Sequence, residues 1–145
     1  MEQRVNYYKI APEAMKVMMD MESYIKSTSL DPKVRELIKI RASQINGCAY
    51  CLNMHSADAR KAGETEQRIY CVSAWGECSF YSDAEKVALE LAEHVTLIPT
   101  KRVPDELFSR VRSHYSEREY VDLIVLINQI NNWNRLSISM GVTAK

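Results

Sequence analysis

The residues best suited to chemistry in this chain are two cysteines, Cys48 and Cys51, and a histidine four positions further on, His55. Two thiols separated by two residues can close a disulfide or bind a soft metal ion. In a helix, the four-residue spacing places the His55 imidazole on the same face as Cys51, where it can act as a base or as a third metal ligand. This segment therefore indicates thiol redox chemistry or a metal site.

The position of the thiols relative to a helix start affects their reactivity. Asn46 and Gly47 are typical of a helix end, so a helix beginning just after them would hold Cys48 and Cys51 in or near its first turn. Unpaired N–H groups and the positive end of the helix dipole stabilise a thiolate there, which predicts a thiol pKa below the ordinary value of about 8.5. The neighbouring thiol could then resolve a sulfenic acid or a mixed disulfide.

Glu36 is the carboxylate that simple helix geometry places opposite His55. At about 1.5 Å per residue, Glu36 lies roughly 15 Å before the helix end at Asn46, and an antiparallel return from Gly47 brings His55 to roughly 10–12 Å from the turn. The two side chains are then nearly level across a helical hairpin. A carboxylate in that position would fix the imidazole tautomer and raise its basicity. We therefore predict a proton relay from Glu36 through His55 to Cys51, with Cys48 as the disulfide partner.

A zinc site is the alternative use of the same segment. Cys48, Cys51 and His55 would supply three ligands, but the sequence contains no second Cys-x-x-Cys or histidine pair to provide a fourth. The remaining cysteines, Cys71 and Cys78, are expected to be small buried residues. Their spacing fits two turns of one helix, which is too far for an easy disulfide unless residues 73–76 break that helix.

The elements that must position these side chains all have the pattern of helices. Pro12 and Pro32 fit first helical positions, and the segments beginning at Ser82 and Ser116 match the capping-box pattern. Between these signals, apolar residues recur at helical spacing, and no sustained alternation indicates a strand. We predict an all-α fold, a bundle of about six or seven helices, in a single domain that spans residues 1–145.

The last predicted helix, about residues 117–138, differs from the others because apolar residues cover nearly its whole circumference. Such a helix must lie at the centre of the fold or be buried by another subunit. The amides that follow in its second half, Asn128, Gln129, Asn131 and Asn132, would need hydrogen-bond partners if buried.

Composition excludes several classes of function. Lys plus Arg and Asp plus Glu both number 19, so the net charge is zero, and nothing favours a nucleic-acid or anionic membrane surface. The first six residues contain no apolar run, so we expect no signal peptide, and we expect no membrane span because no apolar segment is long enough. Four cysteines are few for a secreted disulfide framework. We expect a cytoplasmic protein.

Glu36, Cys48, Cys51 and His55, at their spacing of eleven, two and three intervening residues, match the core motif of a known family. The chain resembles the AhpD-like alkylhydroperoxidases of the carboxymuconolactone decarboxylase superfamily. The resemblance covers most of the chain and extends to the segments Ala42 to Gly47, Ser56 to Gly63 and Asn132 to Arg135.

The resemblance implies an all-helical subunit that assembles into trimers or hexamers. It also implies a cysteine-based peroxidase, or a disulfide reductase, that uses no cofactor and no metal. Cys51 would attack a hydroperoxide substrate, Glu36 and His55 would manage protons, Cys48 would close the disulfide, and an external dithiol or protein reductant would reopen it. The alternatives are reduction of a partner protein's disulfide and a non-catalytic thiol sensor or zinc-binding module.

Tyr50 departs from the pattern of the well-studied peroxidase members, which have a histidine inside the Cys-x-x-Cys motif. A phenol titrates near pH 10, so it cannot relay protons at neutral pH as an imidazole does. We therefore expect this difference to lower peroxidase activity. The cysteine pair itself argues against lactone decarboxylation, which does not need it.

Overall fold

The computed structural model describes residues 3–145. Met1 and Glu2, which belong to the predicted domain and to the segment inspected for a signal peptide, lie outside the described residues. The described residues form helices connected by short loops and no strand, as predicted. The α-helices are α1 (Tyr7–Ile10), α2 (Pro12–Ser27), α3 (Pro32–Asn46), α4 (Ala49–Lys61), α5 (Glu66–Tyr70), α6 (Asp83–Thr96), α7 (Ile98–Lys101), α8 (Asp105–Arg112) and α9 (Glu117–Ser139), with a 3₁₀-helix at Cys71–Glu77. Six of the α-helices have eight residues or more, and the other three are about one turn long, which accounts for the difference from the predicted six or seven.

The helix starts follow the local chemistry that the sequence indicates. Pro12 and Pro32 occupy the first turns of α2 and α3, and the Asp31 side chain accepts a hydrogen bond from the Lys33 N–H at the start of α3. Complete capping boxes open α6 at Ser82 and α9 at Ser116. Each cap satisfies N–H groups that a helix start leaves unpaired.

Helix α9 lies at the centre of the fold. Its residues Leu123, Leu126 and Ile127 are buried in the largest hydrophobic cluster, to which α2, α3, α6 and α8 also contribute. The amides of its second half find partners: Gln129 donates to the Met18 carbonyl, and Asn131 donates to Thr96 Oγ1 and to the carbonyl one turn earlier. The helix therefore buries its polar residues without leaving them unsatisfied.

Helices α3 and α4 form the predicted hairpin. Gly47 ends α3 in the left-handed conformation, with φ 69° and ψ 33°, and its N–H bonds back to the last turn of α3. Such a conformation is costly for a residue with a Cβ. Asn46 donates to Asn131 Oδ1 and Asn134 Oδ1, both at 2.9 Å, and so attaches the turn to α9.

None of the helices formed by residues 3–145 combines the length and the apolar character that a bilayer span requires. Helix α9 has 23 residues, but it carries charged and amide side chains along its length.

Candidate active site

The turn between α3 and α4 delivers both thiols of the Cys-x-x-Cys motif to the start of α4. Cys48 is the N-cap residue and Cys51 lies in the first turn. The Cys48 thiol donates to Cys51 Sγ across 2.8 Å, and the two side chains are 2% and 0% exposed. The sulfurs are therefore adjacent and shielded from solvent.

Burial determines the protonation state of Cys51, contrary to the prediction from its place at a helix start. Burial and the hydrogen bond from Cys48 raise the pKa of Cys51 to about 12, and hydrogen bonds with Asn134 and Ser137 of α9 offset only part of that rise. The prediction of a lowered pKa is wrong for Cys51, because removal of the thiol from water disfavours its charged form more than the helix dipole favours it. At neutral pH the sulfur carries a proton, so nucleophilic attack requires a base.

His55 is the base candidate, and the structure brings it together with Glu36. His55 Nδ1 and Glu36 Oε2 lie 2.9 Å apart across the α3–α4 hairpin, with the His55 side chain 7% exposed. His55 Nε2 is buried and has no hydrogen-bond partner among residues 3–145. With Nδ1–H donated to the carboxylate, Nε2 is left as the proton acceptor.

Glu36 is ionised despite its burial. Burial acts to raise the pKa of Glu36, but the hydrogen bond from His55 and the charge of Lys39 outweigh it, so the pKa lies below the ordinary value. Lys39 Nζ is 3.3 Å from Glu36 Oε1 and 3.6 Å from Glu22 Oε2. The second oxygen of Glu22 accepts a hydrogen bond from Trp133 Nε1 at 2.8 Å. An ionised carboxylate at Glu36 is the state that can orient and polarise an imidazole.

These groups border a single cavity of about 290 Å³. Cys51, His55 and Glu36 line it together with aromatic and methionine side chains, which are Tyr7, Tyr8, Met19, Tyr50, Met54 and Trp133. The lining also includes four further charged residues, Glu22, Lys26, Lys39 and Asp58. The cavity therefore brings a thiol, a base and a carboxylate to one chamber whose lining is partly apolar and partly charged.

The predicted zinc alternative, with Cys48, Cys51 and His55 as ligands, is not preassembled. Among residues 3–145, the group of metal-type side chains with ligand atoms within 4.8 Å of one another is Glu36, His55 and Asp58, without either thiol. Glu36 is already paired with Lys39, whose ammonium would repel a cation placed there.

Cys71 begins the 3₁₀-helix and Cys78 follows its last residue, and both are half-buried rather than buried. The backbone departs from helical geometry at Ala74, within the segment that the sequence marked as a helix breaker. Neither residue lines the cavity.

Several residues of the site were missed by the sequence analysis. Lys39 could have been found, because it lies three residues after Glu36 and therefore on the same helical face. Glu22, Asn134 and Ser137 reach the site from α2 and α9 through tertiary packing, and Tyr7 reaches it from α1. Their positions in the sequence carry no local signal for this.

The sequence pattern of the carboxymuconolactone decarboxylase family matches residues 12–94, which include the whole predicted relay. The chain is 69% identical over 141 residues to YdfG of Bacillus subtilis, a match that covers 97% of this chain and 96% of that protein.

Comparison with solved structures identifies the same fold. A protein of unknown function from Agrobacterium tumefaciens, suggested to be the antioxidant defence protein AhpD, is similar with a TM-score of 0.95 and 39% identity over 99% of both chains. The debrominase Bmp8 is similar with a TM-score of 0.79 and 18% identity, covering 92% of this chain and 72% of that one. The second likeness concerns the fold alone.

Proposed function

The chain belongs to the carboxymuconolactone decarboxylase family, and from that premise we propose that it is a thiol-dependent peroxidase that reduces organic hydroperoxides through Cys48 and Cys51. The observation that carries the proposal is the cavity of about 290 Å³ bordered by Cys51, His55 and Glu36. A sulfur nucleophile, a base and its orienting carboxylate border one chamber of a size suited to a small molecule.

The proposed cycle begins with proton transfer from the Cys51 thiol to His55 Nε2. The thiolate attacks the terminal peroxide oxygen, the O–O bond breaks, Cys51 becomes a sulfenic acid, and the alkoxide takes the proton from His55 to leave as an alcohol. The Cys48 thiol then attacks the Cys51 sulfur, which forms the disulfide and releases water. An external dithiol reduces that disulfide by exchange and returns both thiols.

Burial of the thiols favours a small substrate over a protein disulfide. Cys48 and Cys51 are 2% and 0% exposed, so a folded partner could not bring its own disulfide to either sulfur without displacing part of the site. A hydroperoxide needs only to enter the cavity. The suggested AhpD assignment of the similar Agrobacterium protein supports the same choice. Because the debrominase Bmp8 shares this fold, the fold alone does not select the reaction, and the proposal depends on the residues at the cavity.

The first test exposes reduced, metal-free protein to one equivalent of tert-butyl hydroperoxide and follows intact mass and peptide maps. We expect rapid loss of two hydrogens, located to a Cys48–Cys51 disulfide, with Cys71 and Cys78 still reduced. Thiols that remain reduced after such exposure would contradict the proposal.

Substitutions at the cysteines separate the two predicted roles. Cys51→Ser should abolish peroxide consumption, because no other thiol borders the cavity. Cys48→Ser should still react once and leave Cys51 as a sulfenic acid that dimedone traps. A Cys71→Ser, Cys78→Ser double variant is the matched control and should consume peroxide like the wild type. If Cys51→Ser retains activity, the nucleophile is misassigned.

His55→Ala tests the base. Removal of a general base typically slows a reaction by about 10²- to 10⁴-fold, and the loss should be greatest at neutral pH, where the Cys51 thiol is protonated. The initial rate of peroxide consumption measures this effect. His114→Ala, at an exposed histidine, is the control. Equal rates for His55→Ala and the wild type would refute the relay.

A further inference from the structure

Lys39 is a buried lysine that the proposed reaction does not use directly. It is 7% exposed, and a buried ammonium is tolerated only when it is paired. Its Nζ lies between two carboxylates, 3.3 Å from Glu36 Oε1 and 3.6 Å from Glu22 Oε2. One Glu36 oxygen therefore faces Lys39 while the other is bonded to His55 Nδ1 at 2.9 Å.

Glu22 is held in place from the side opposite Lys39. Trp133 Nε1 of α9 donates to Glu22 Oε1 at 2.8 Å, which leaves Oε2 facing Lys39. The contacts form one continuous line from Trp133 through Glu22, Lys39 and Glu36 to His55. Four helices, α9, α2, α3 and α4, supply its members.

The charges along this line are balanced for a protonated imidazole. Glu22 and Glu36 contribute two negative charges and Lys39 one positive charge, so one negative charge is left over while His55 is neutral. Protonation of His55 neutralises it. The charges of Lys39 and Glu22 affect the protonation of His55 in opposite directions, since an ammonium disfavours a nearby added proton and a carboxylate favours it.

We propose that Lys39 and Glu22 are positioning residues that tune how readily the Glu36–His55 dyad binds a proton, Lys39 opposing protonation and Glu22 favouring it. This inference rests on the proposed function, since it assigns these residues to the base that activates Cys51. The Lys39 ammonium opposes an added proton on the dyad, and the Glu22 carboxylate limits that effect so that His55 can still accept the thiol proton.

Other titratable groups near the dyad come from three helices, and the substitutions proposed below leave all of them in place. They are Tyr7 and Tyr8 of α1, Lys26 of α2, the site thiols of α4, and Tyr50 and Asp58 of α4. Helix α9 faces the cavity with Trp133 and Ser137, neither of which carries a charge.

The test is the pH dependence of the Cys51 alkylation rate with iodoacetamide, an uncharged probe small enough for the cavity. Rates at Cys51 are read by tandem mass spectrometry, which separates it from Cys48, between about pH 5 and pH 9, the range in which an imidazole-based relay titrates. Alkylation reports removal of the thiol proton whether or not the protein reduces peroxides. Failure of the proposed function, seen as no reaction with tert-butyl hydroperoxide, is therefore distinguishable from failure of this inference.

The pH at which alkylation slows on acidification should shift in opposite directions in the two variants. Lys39→Met removes the ammonium, so the dyad binds a proton more readily and this pH rises by about one unit, the size typical of a charge at this distance. Glu22→Gln keeps the acceptor for Trp133 but removes a negative charge, so this pH falls by a few tenths of a unit. Lys39→Arg keeps the charge and should restore the profile of the wild type.

Matched controls are Lys16→Met and Glu13→Gln, at exposed positions of the same helix as Glu22, and both should leave the profile unchanged. Circular dichroism establishes that each variant is folded. Should Lys39→Met not fold, Glu22→Gln and Lys39→Arg still decide the question. Shifts of the two test variants in the same direction, or no shift in Glu22→Gln, would overturn the proposal, because a merely structural role predicts no opposition of sign.

Discussion

At the Cys51 sulfur, burial and the hydrogen bonds with α9 change the pKa in opposite directions. Burial raises the pKa of Cys51 to about 12, and contacts with Asn134 and Ser137 lower it in part. A thiol in this state is stable toward adventitious oxidants, since little thiolate is present at neutral pH. In the proposed cycle it becomes a nucleophile when His55 takes its proton, so we expect reactivity to depend on the relay rather than on the helix start.

Ser137 allows a test of thiolate stabilisation that leaves the relay intact. The Cys51 thiol donates to Ser137 Oγ across 4.0 Å, and once the thiol is ionised the hydroxyl can rotate and donate back. Since a long contact of this kind is weak, Ser137→Ala should slow Cys51 alkylation at a fixed pH by only about two- to threefold. Ser139→Ala, on the same helix but exposed, should have no effect. A faster reaction in Ser137→Ala would show that the hydroxyl stabilises the thiol and not the thiolate.

At the scale of elements, the turn at Gly47 determines where the thiols lie. Proline, capping-box and glycine signals allowed the helix ends to be predicted, and the last helix, predicted at 117–138, is observed at Glu117–Ser139. The rise per residue of an α-helix was enough to predict that Glu36 and His55 lie at the same level across the α3–α4 hairpin. The environment of Cys51 could not be predicted in this way, because it includes Asn134 and Ser137, which belong to a helix more than eighty residues further along the chain.

Gly47→Ala should destabilise the protein through its backbone alone. Gly47 has φ +69° and no atom within 4 Å of the position that a Cβ would take, so the substitution meets no steric clash. The left-handed conformation then accounts for the whole cost, about 1 kcal/mol in the free energy of unfolding. Urea denaturation measures it. Gly76→Ala is the matched control, because it is equally uncrowded without a positive φ, and its unfolding free energy should stay within about 0.5 kcal/mol of the wild type.

On the scale of the whole molecule, the all-helical fold and the family were predicted from the sequence, and both are confirmed by the structure and by the comparisons. Helix α9 illustrates why the fold could be predicted from the sequence. Its continuous apolar surface required a central position, and Leu123, Leu126 and Ile127 are fully buried within the single chain. The second explanation offered for such a helix, burial by another subunit, is therefore not needed for these residues.

Assembly into trimers or hexamers stays a prediction, and apolar side chains at the outer surface of α1 and α2 indicate where it can be tested. Ile10 is 71% and Val17 66% exposed, and Met21 lies four residues after Val17 on the same helical face. Exposed apolar residues on a protein of zero net charge favour self-association. We expect sedimentation velocity to show an oligomer for the wild type and a smaller species for Val17→Lys. Val121→Lys, at an exposed valine of α9, should leave the assembly intact, and a monomeric wild type at micromolar concentration would contradict the prediction.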